Sequence, residues 1–216
     1  MEKENDTGRA VELAAGKDTP ALHGAKKFFS LLFPFFGRLL YANLLFVLLC
    51  LPVVTIPCAL SGLLRVTGSL CMLGHTDVLR DFFSEFRARF LSKTLVGLLL
   101  LALPTLMIYG IFMAFGVAAA FGAGVLILLV FFLLQCYLYA YVAMVDLPIG
   151  KQLNNALLSL LSMGKRDALL LLPAAFTALM VLLLPYALPV ILLIGCAATA
   201  LMVIVILEDA IRDITK

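Results

Sequence analysis

Two long stretches of this 216-residue chain contain no charged side chain. No Asp, Glu, Lys or Arg occurs in residues 94–145 or in residues 168–207, which are runs of 52 and 40 residues. A helix crosses the ~30 Å hydrocarbon core of a bilayer with about 20 residues, so each run is long enough to cross twice. Soluble domains carry about 25% charged residues and have no use for such runs. The pattern predicts a polytopic α-helical membrane protein.

Composition agrees with that class. The chain is 64% hydrophobic with a mean hydropathy of +1.13, against about 45–50% apolar residues in soluble domains. Residues 1–24 are polar, mixed in charge and free of an apolar core, which predicts a disordered cytoplasmic tail rather than a signal peptide. Residues 25–216 are expected to form one transmembrane helical domain. The net charge of +3 is too small and too mixed in sign to indicate a nucleic acid partner.

The basic residues predict the topology. Of the 16 Lys and Arg residues, six lie in residues 1–38, five in 65–93, three in 146–167 and two in 208–216. The turns expected inside the two uncharged runs, at residues 115–124 and 184–189, contain none. Short loops rich in Lys and Arg stay in the cytoplasm. The two runs are therefore expected to be hairpins that open toward the cytoplasm. If the first apolar region is also a hairpin, both termini lie on that side.

The first apolar region allows two interpretations. Residues 39–64 are uncharged, and one helix of that length would be about 39 Å long, which is long for a single crossing. Pro52 and Pro57 bracket a β-branched stretch that favours extended backbone. Helices over residues 28–51 and 57–73 would form a third hairpin and give six crossings. A single crossing would instead give five and place the N-terminal basic residues outside.

Two cytoplasmic segments have the pattern of amphipathic helices. In residues 77–93 an apolar stripe recurs at helical spacing, formed by Leu79, Phe82, Phe83, Phe86 and Phe90. In residues 151–166 a weaker stripe of leucines lies opposite Gln152 and Ser159. Basic, apolar-faced helices partition into the headgroup region, so these segments either anchor the chain or dock a cytoplasmic partner. The expected fold is all-α: a membrane bundle of six transmembrane helices in three hairpins, with two interfacial amphipathic helices.

A few polar residues stand out at membrane depth. In the three-hairpin arrangement Arg65 falls half-way along a membrane helix, where insertion costs about 2.5–3.5 kcal/mol. It is expected to contact an anion or substrate, to face the bundle and bind a backbone carbonyl or a lipid phosphate, or to snorkel. Asn43 is expected to form an interhelical hydrogen bond. Glu85 and its acidic neighbours fit a solvated, salt-bridged face, and three tyrosines fit an interfacial aromatic belt, namely Tyr137, Tyr139 and Tyr141.

No motif indicates an enzyme. The chain lacks HExxH, GxSxG, GxxxxGK[ST] and any carboxylate pair within the apolar runs. Its five cysteines lie in apolar segments without CxxC spacing, and its two histidines, His23 and His75, fall in the tail and in a loop. We therefore expect no catalytic residue, no metal site and no cofactor. The candidate functional or structural positions are Asn43, Arg65, Asp81, Phe82, Phe86, Arg87 and Phe90.

Residues 39–101 resemble the N-terminal half of the YesL-like family, bacterial integral membrane proteins of unknown function. The resemblance lies in an Asn in the first helix, a Pro and an Ala opening the second, a following Arg, a DFF element and a basic aromatic stretch. These elements are Asn43, Pro57, Ala59, Arg65, Asp81, Phe82, Phe83, Phe86, Arg87 and Phe90. The similarity covers residues 30–165 and departs from the family at Cys58, where a Gly is expected.

The resemblance implies a place and a role. It implies a multi-pass protein of the bacterial cell membrane, whose genes neighbour those for carbohydrate ABC importers and glycan-degrading enzymes. The expected function is a non-enzymatic accessory component of carbohydrate uptake, with the lipid bilayer and ABC sugar importer subunits as partners. The alternative is a small transporter or channel, working as a homo-oligomer. A third hypothesis, a membrane enzyme acting on lipid, needs a catalytic cluster that the sequence does not display.

Overall fold

The computed structural model describes residues 22–162, 164–182 and 194–215. These residues are almost entirely helical and contain no strand, which confirms the all-α fold. The helices are α1 Leu22–Leu32, α2 Phe36–Leu49, α3 Ile56–Leu73, α4 Val78–Arg87, α5 Phe90–Phe115, α6 Val117–Met144, α7 Ile149–Leu161, α8 Lys165–Leu182 and α9 Cys196–Thr215. The predicted turn at residues 184–189 and all but the end of the predicted tail, residues 1–24, lie outside the described residues.

Three helical segments in the described part of the chain are long and apolar enough to cross a membrane. They are Val53–Leu73, Phe90–Phe115 and Ala120–Met144. The pair Lys26–Leu32 and Phe36–Leu49 would make a fourth if it counts as one span, although it is bent by 82°. These lengths and compositions are compatible with membrane insertion, and the number of crossings remains a prediction.

The first hairpin differs from the predicted one. A single helix over residues 28–51 is wrong, because the chain bends between α1 and α2. Pro34 lies in that break. A proline has no N–H to donate and disfavours helical backbone in the residue before it. Extended backbone after Pro52 is also wrong: Val53–Thr55 is a 3-10 turn, and only Pro52 itself is extended, with φ −81° and ψ 120°.

The turn between α5 and α6 is tighter than predicted. In place of a loop over residues 115–124, one residue, Gly116, separates the two helices at φ +82°. Glycine reaches this region at little cost because it lacks a Cβ atom. Ile108 lies beside Gly124, and Tyr139 lies beside Gly97. The two contacts occur in opposite order along the chain, as they do in antiparallel helices.

Helix α3 lies at the centre of the bundle and contacts α2, α4, α5, α6 and α9. Most of its side chains are buried, including the polar Ser61, Thr67 and Ser69. Two glycines let its neighbours approach closely. A Cβ atom on Gly62 would lie 3.0 Å from the carbonyl oxygen of Phe82, and one on Gly68 would overlap the Met144 side chain. By contrast, the outer halves of α5 and α6 expose many apolar side chains.

The sequence suggested that the three tyrosines of α6 form an interfacial belt, and this prediction is wrong. All are buried in the bundle, because the last turns of α6 are surrounded by α3, α7, α8 and α9. The Tyr137 hydroxyl donates to Oδ1 of Asp167 at 2.7 Å. The Tyr141 hydroxyl lies 2.8 Å from that of Ser159. These bonds fasten α7 and α8 to the end of α6.

The two amphipathic segments also differ in detail from the prediction. A continuous helix over residues 77–93 is wrong: α4 ends at Arg87, Ala88 is extended, and Arg89 has φ +51°. The chain can therefore turn before α5 begins. In α7 the buried residues are Gln152 and Ala156 rather than the leucines. The exposed residues of that helix include Leu157, Leu158 and Leu161.

Candidate functional site

Helix α4 is fastened to the bundle by aromatic packing. Phe82 is fully buried and lies against Gly62 of α3, where a larger residue would meet its ring at 3.2 Å. The Phe86 ring stacks with that of Phe82 at 6.4 Å and 18°, and its centroid lies 5.8 Å from that of Phe90. The predicted lipid-facing stripe is therefore wrong for Phe82, which packs on protein because α4 folds back along α3.

A buried ion pair holds the end of α4. Lys93, in the first turn of α5, pairs with the Glu85 carboxylate, and their side chains are 0% and 13% exposed. The Lys93 ammonium also donates to the Glu85 carbonyl oxygen at 2.6 Å and to the Ser61 hydroxyl at 3.2 Å. The predicted solvated face is thus wrong for Glu85. Isolated charges are not buried without partners, and here three acceptors surround one ammonium group.

Arg65 lines a polar cavity beside that pair. The cavity has a volume of about 470 Å³ and is lined by residues of α3, α4, the α4–α5 turn and the end of α6. Two arginines and two acids contribute charge to it, Arg65, Arg89, Glu85 and Asp146. The formal charges of these four side chains sum to zero, and Glu85 is also paired with Lys93.

Arg65 binds the C-terminal end of α6, and Arg89 binds the loop that follows it. Nη1 of Arg65 donates to the Ala143 carbonyl oxygen at 2.9 Å. Arg89 donates to the Leu147 carbonyl oxygen and approaches Asp146 at 3.4 Å. The last four carbonyls of a helix have no partner within it and carry partial negative charge, so cations stabilise them. Of the three roles expected for Arg65, the structure shows a hydrogen bond to a backbone carbonyl.

The outer face of α4 is exposed and basic. Arg80, Ser84 and Arg87 recur at i, i+4 and i+7, and all are exposed. Asp77 begins the helix, and its side chain accepts from the Arg80 N–H at 3.5 Å. Asp81 lies in the first turn, half-buried, and accepts from the Thr76 hydroxyl at 2.8 Å. One side of α4 is therefore fixed to protein, and the other presents two cations.

Asn43 does not belong to this group. It is fully buried, and its Oδ1 accepts from the backbone N–H of Ala197, near the start of α9, at 2.8 Å. This is an interhelical hydrogen bond of the kind the sequence suggested. The structure thus brings Arg65, Asp81, Phe82, Phe86, Arg87 and Phe90 to the region around α4 and leaves Asn43 on another interface.

A second ion-pair cluster joins the first and last described helices, α1 and α9. Glu208 of α9 pairs with Lys27 of α1 and with Arg212, the latter at 2.7 Å. The Cys71 thiol of α3 lies 3.5 Å from the same carboxylate. The sequence did not indicate that Lys93, Glu85 and Glu208 are buried. Lys93 and Glu208 each border an uncharged run, where a solvated residue is usual, and Glu85 lies among other charged residues of α4.

A separate apolar cavity lies among α2, α3, α6, α8 and α9. Its volume is about 270 Å³, and its few polar side chains include Gln135, Thr177 and Thr199. Within the described part of the chain, no three His, Cys, Asp or Glu side chains are grouped so as to hold a metal ion.

Part of the chain matches a known protein family. Residues 39–111 match the family model described as "Protein of unknown function, DUF624". That stretch runs from α2 to near the end of α5 and so contains the α4 region and Asn43. It is about one third of the chain, and it does not confirm the resemblance to the YesL-like family. No curated protein and no solved structure matches the chain.

Proposed function

We propose that this chain is a non-enzymatic, multi-pass protein of the bacterial cell membrane that presents α4 to a cytoplasmic partner. The main support is that the two faces of α4 differ. Phe82 and Glu85 attach one face to the bundle, while Arg80 and Arg87 are exposed on the other. A helix that only anchors a loop needs its apolar face in the headgroup region. It needs neither a phenylalanine buried in protein nor a buried ion pair.

The orientation follows from charge. With three hairpins that each begin and end on the cytoplasmic side, all 16 basic residues lie on or near that side, as the positive-inside rule requires. Both termini are then cytoplasmic. Reporter fusions after Gly74, Gly150 and Lys216 are expected to report the cytoplasm, and a fusion near Gly122 the outside. An external signal after Lys216 contradicts this orientation.

The partner system comes from the resemblance to the YesL-like family, which implies carbohydrate uptake. An ABC sugar importer places its ATP-binding subunits at the cytoplasmic surface, which is where the proposed orientation puts α4. The two exposed arginines suit a partner surface that carries carboxylates, because complementary charge steers association and penalises wrong partners. The protein is therefore proposed as an accessory component of carbohydrate uptake.

The alternative, a small transporter or channel, rests on the apolar cavity. A cavity of about 270 Å³ inside the bundle is large enough for a small ligand, but its lining suits an acyl chain better than a sugar, which needs many hydrogen-bond partners. Arg65 is also not beside the broken segment, where carriers place their sites. Ten residues of α3, about 15 Å, separate it from Thr55. The docking proposal therefore has the stronger geometric support.

Affinity purification from native membranes tests the docking proposal. We expect importer subunits to co-purify with the tagged protein, and the double variant Arg80→Glu and Arg87→Glu to reduce their recovery by at least about tenfold, since like charges across an interface repel. Lys151→Glu, at an exposed position of α7, is the matched control and should recover them fully. Equal recovery by both variants, or no importer subunit with any of them, contradicts the proposal.

A further inference from the structure

The turn between α2 and α3 is apolar and exposed. The side chains of Leu51, Val53 and Val54 are 77%, 66% and 55% exposed, and no charged residue lies in residues 39–64. A turn in water is normally built from Gly, Pro, Asn, Asp and Ser. This turn has the surface of a segment that contacts hydrocarbon.

Contacts with α5 fix how deep the turn reaches. Pro57 packs against Gly97, where an added Cβ atom would lie 2.5 Å from the proline Cγ. The Cys58 thiol lies 3.5 Å from both the Phe90 carbonyl oxygen and the Thr94 hydroxyl. The first turn of α3 therefore lies beside the first two turns of α5.

The remaining length of α5 extends far beyond this point. From Gly97 to Phe115 are 18 residues, or about 27 Å of helix. The 3-10 turn begins four residues before Pro57 and reaches at most about 8 Å further. The 3-10 turn therefore lies roughly 20 Å from the level of Gly116, measured along α5. With a hydrocarbon core ~30 Å thick, the α2–α3 turn cannot reach the side on which the α5–α6 hairpin turns.

Several backbone groups of this turn are hydrogen-bonded within the chain. The Cys50 N–H donates to the Phe46 carbonyl oxygen at 2.9 Å, and the Thr55 N–H donates to that of Pro52 at 3.0 Å. The Thr55 hydroxyl lies within hydrogen-bond distance of the carbonyl oxygens of Leu49 and Pro52. Pro52 has no N–H to satisfy. Internal pairing of this kind is required where no water reaches the backbone.

The position of Arg65 gives independent support. If α3 crossed the whole membrane, Arg65 would lie half-way along it, at a cost of about 2.5–3.5 kcal/mol. Its guanidinium instead binds the carbonyl oxygen of Ala143, one residue before the end of α6 at Met144. Because Asp146 follows directly, this end of α6 is the charged, cytoplasmic end. Arg65 therefore lies at the membrane boundary.

We propose that α2, the 3-10 turn and α3 form a re-entrant hairpin, which enters from the cytoplasmic side and turns within the hydrocarbon. Leu51, Val53 and Val54 then contact lipid acyl chains. The charged patches keep their cytoplasmic location because the hairpin returns to the side it left. This hairpin then contributes no crossing, where the sequence predicted two, and it has no external turn.

Depth-dependent fluorescence quenching tests this inference, because the chain contains no tryptophan. Val54→Trp places a single fluorophore at the exposed turn, with Phe115→Trp at the α5–α6 turn and Leu79→Trp on α4 as references. In reconstituted liposomes, we expect lipids labelled deep in the acyl chain to quench Val54→Trp most strongly, and iodide to quench it several-fold less than either reference.

An opposite pattern overturns the inference. If iodide quenches Val54→Trp as strongly as Phe115→Trp, and headgroup-labelled lipid quenches both best, the turn reaches the outer surface and the hairpin crosses. Val53→Trp serves as a second probe, since its side chain is also exposed, and both variants are compared with the wild type in thermal unfolding before use. The docking of α4 is measured separately by co-purification, so either proposal can fail without the other.

Discussion

The buried pair of Lys93 and Glu85 gives the sharpest stability prediction. Lys93→Met keeps the apolar stem but removes the ammonium group, leaving a carboxylate that is only 13% exposed without its cation. Removing one member of a buried ion pair costs about 3–5 kcal/mol, whereas replacing both members by apolar or neutral groups often costs little. We therefore expect Lys93→Met to lower the free energy of unfolding by about 3–5 kcal/mol.

The double variant separates the ion pair from general packing. Glu85→Gln alone leaves the Lys93 ammonium with the Ser61 hydroxyl and a backbone carbonyl as acceptors, so its loss should be smaller than that of Lys93→Met. Combining Lys93→Met with Glu85→Gln should recover at least half of the larger loss, because no uncompensated charge remains.

Unfolding of the purified protein by SDS in mixed micelles, followed by far-ultraviolet circular dichroism, measures these free energies. Arg87→Met is the matched control, since Arg87 is exposed on the same helix and surface changes usually stay within about 0.5 kcal/mol. The reasoning fails if Lys93→Met behaves like this control. It also fails if the losses of the two single variants simply add in the double variant.

Two further predictions concern α3. Arg65→Ala should lower the free energy of unfolding by about 1–3 kcal/mol, because it removes a charged hydrogen bond from the end of α6. Arg65→Lys should remain near the wild type in stability. If both variants have normal stability but lose a measurable flux, Arg65 belongs to a transport site instead. Gly62→Ala should cost about 1–3 kcal/mol, since the new Cβ atom would lie 3.0 Å from the Phe82 carbonyl oxygen. Gly110→Ala is the control: its new Cβ atom would have no neighbour within 4 Å, so this change should be neutral or stabilising. Equal melting temperatures for the Gly62→Ala and Gly110→Ala variants would refute the packing of α4 on α3.

Charge patterning predicted the parts of the fold that depend on local sequence. The uncharged run of residues 94–145 contains most of α5 and α6. It could be recognised from its length and hydropathy alone, without knowing which helices pack against it. The break between α1 and α2 also has a local signal, Pro34, which the prediction of one helix over residues 28–51 passed over. The one-residue turn at Gly116 could not be located among several nearby glycines, since only the packing of α5 on α6 selects it.

Apart from the interhelical hydrogen bond of Asn43, the buried polar contacts could not be predicted from the sequence. Lys93 precedes an apolar run, where a basic residue normally marks the membrane boundary. It is buried only because Arg89, at φ +51°, turns the chain so that α4 lies back along α3. Nothing in the local sequence indicates a positive φ at an arginine. Gln152 is similar: the amphipathic pattern placed it opposite the leucines, but only the folded bundle brings its amide to the Val145 carbonyl oxygen at 2.7 Å.

Photo-crosslinking in living cells tests the proposed function most directly. A photoreactive amino acid at position 87, on the exposed face of α4, is compared with the same residue at position 158, on the exposed face of α7. The account predicts an adduct with a carbohydrate importer subunit at position 87 and none at position 158. An adduct with lipid alone at position 87, or the same adducts at both positions, would contradict the claim that α4 is a docking helix.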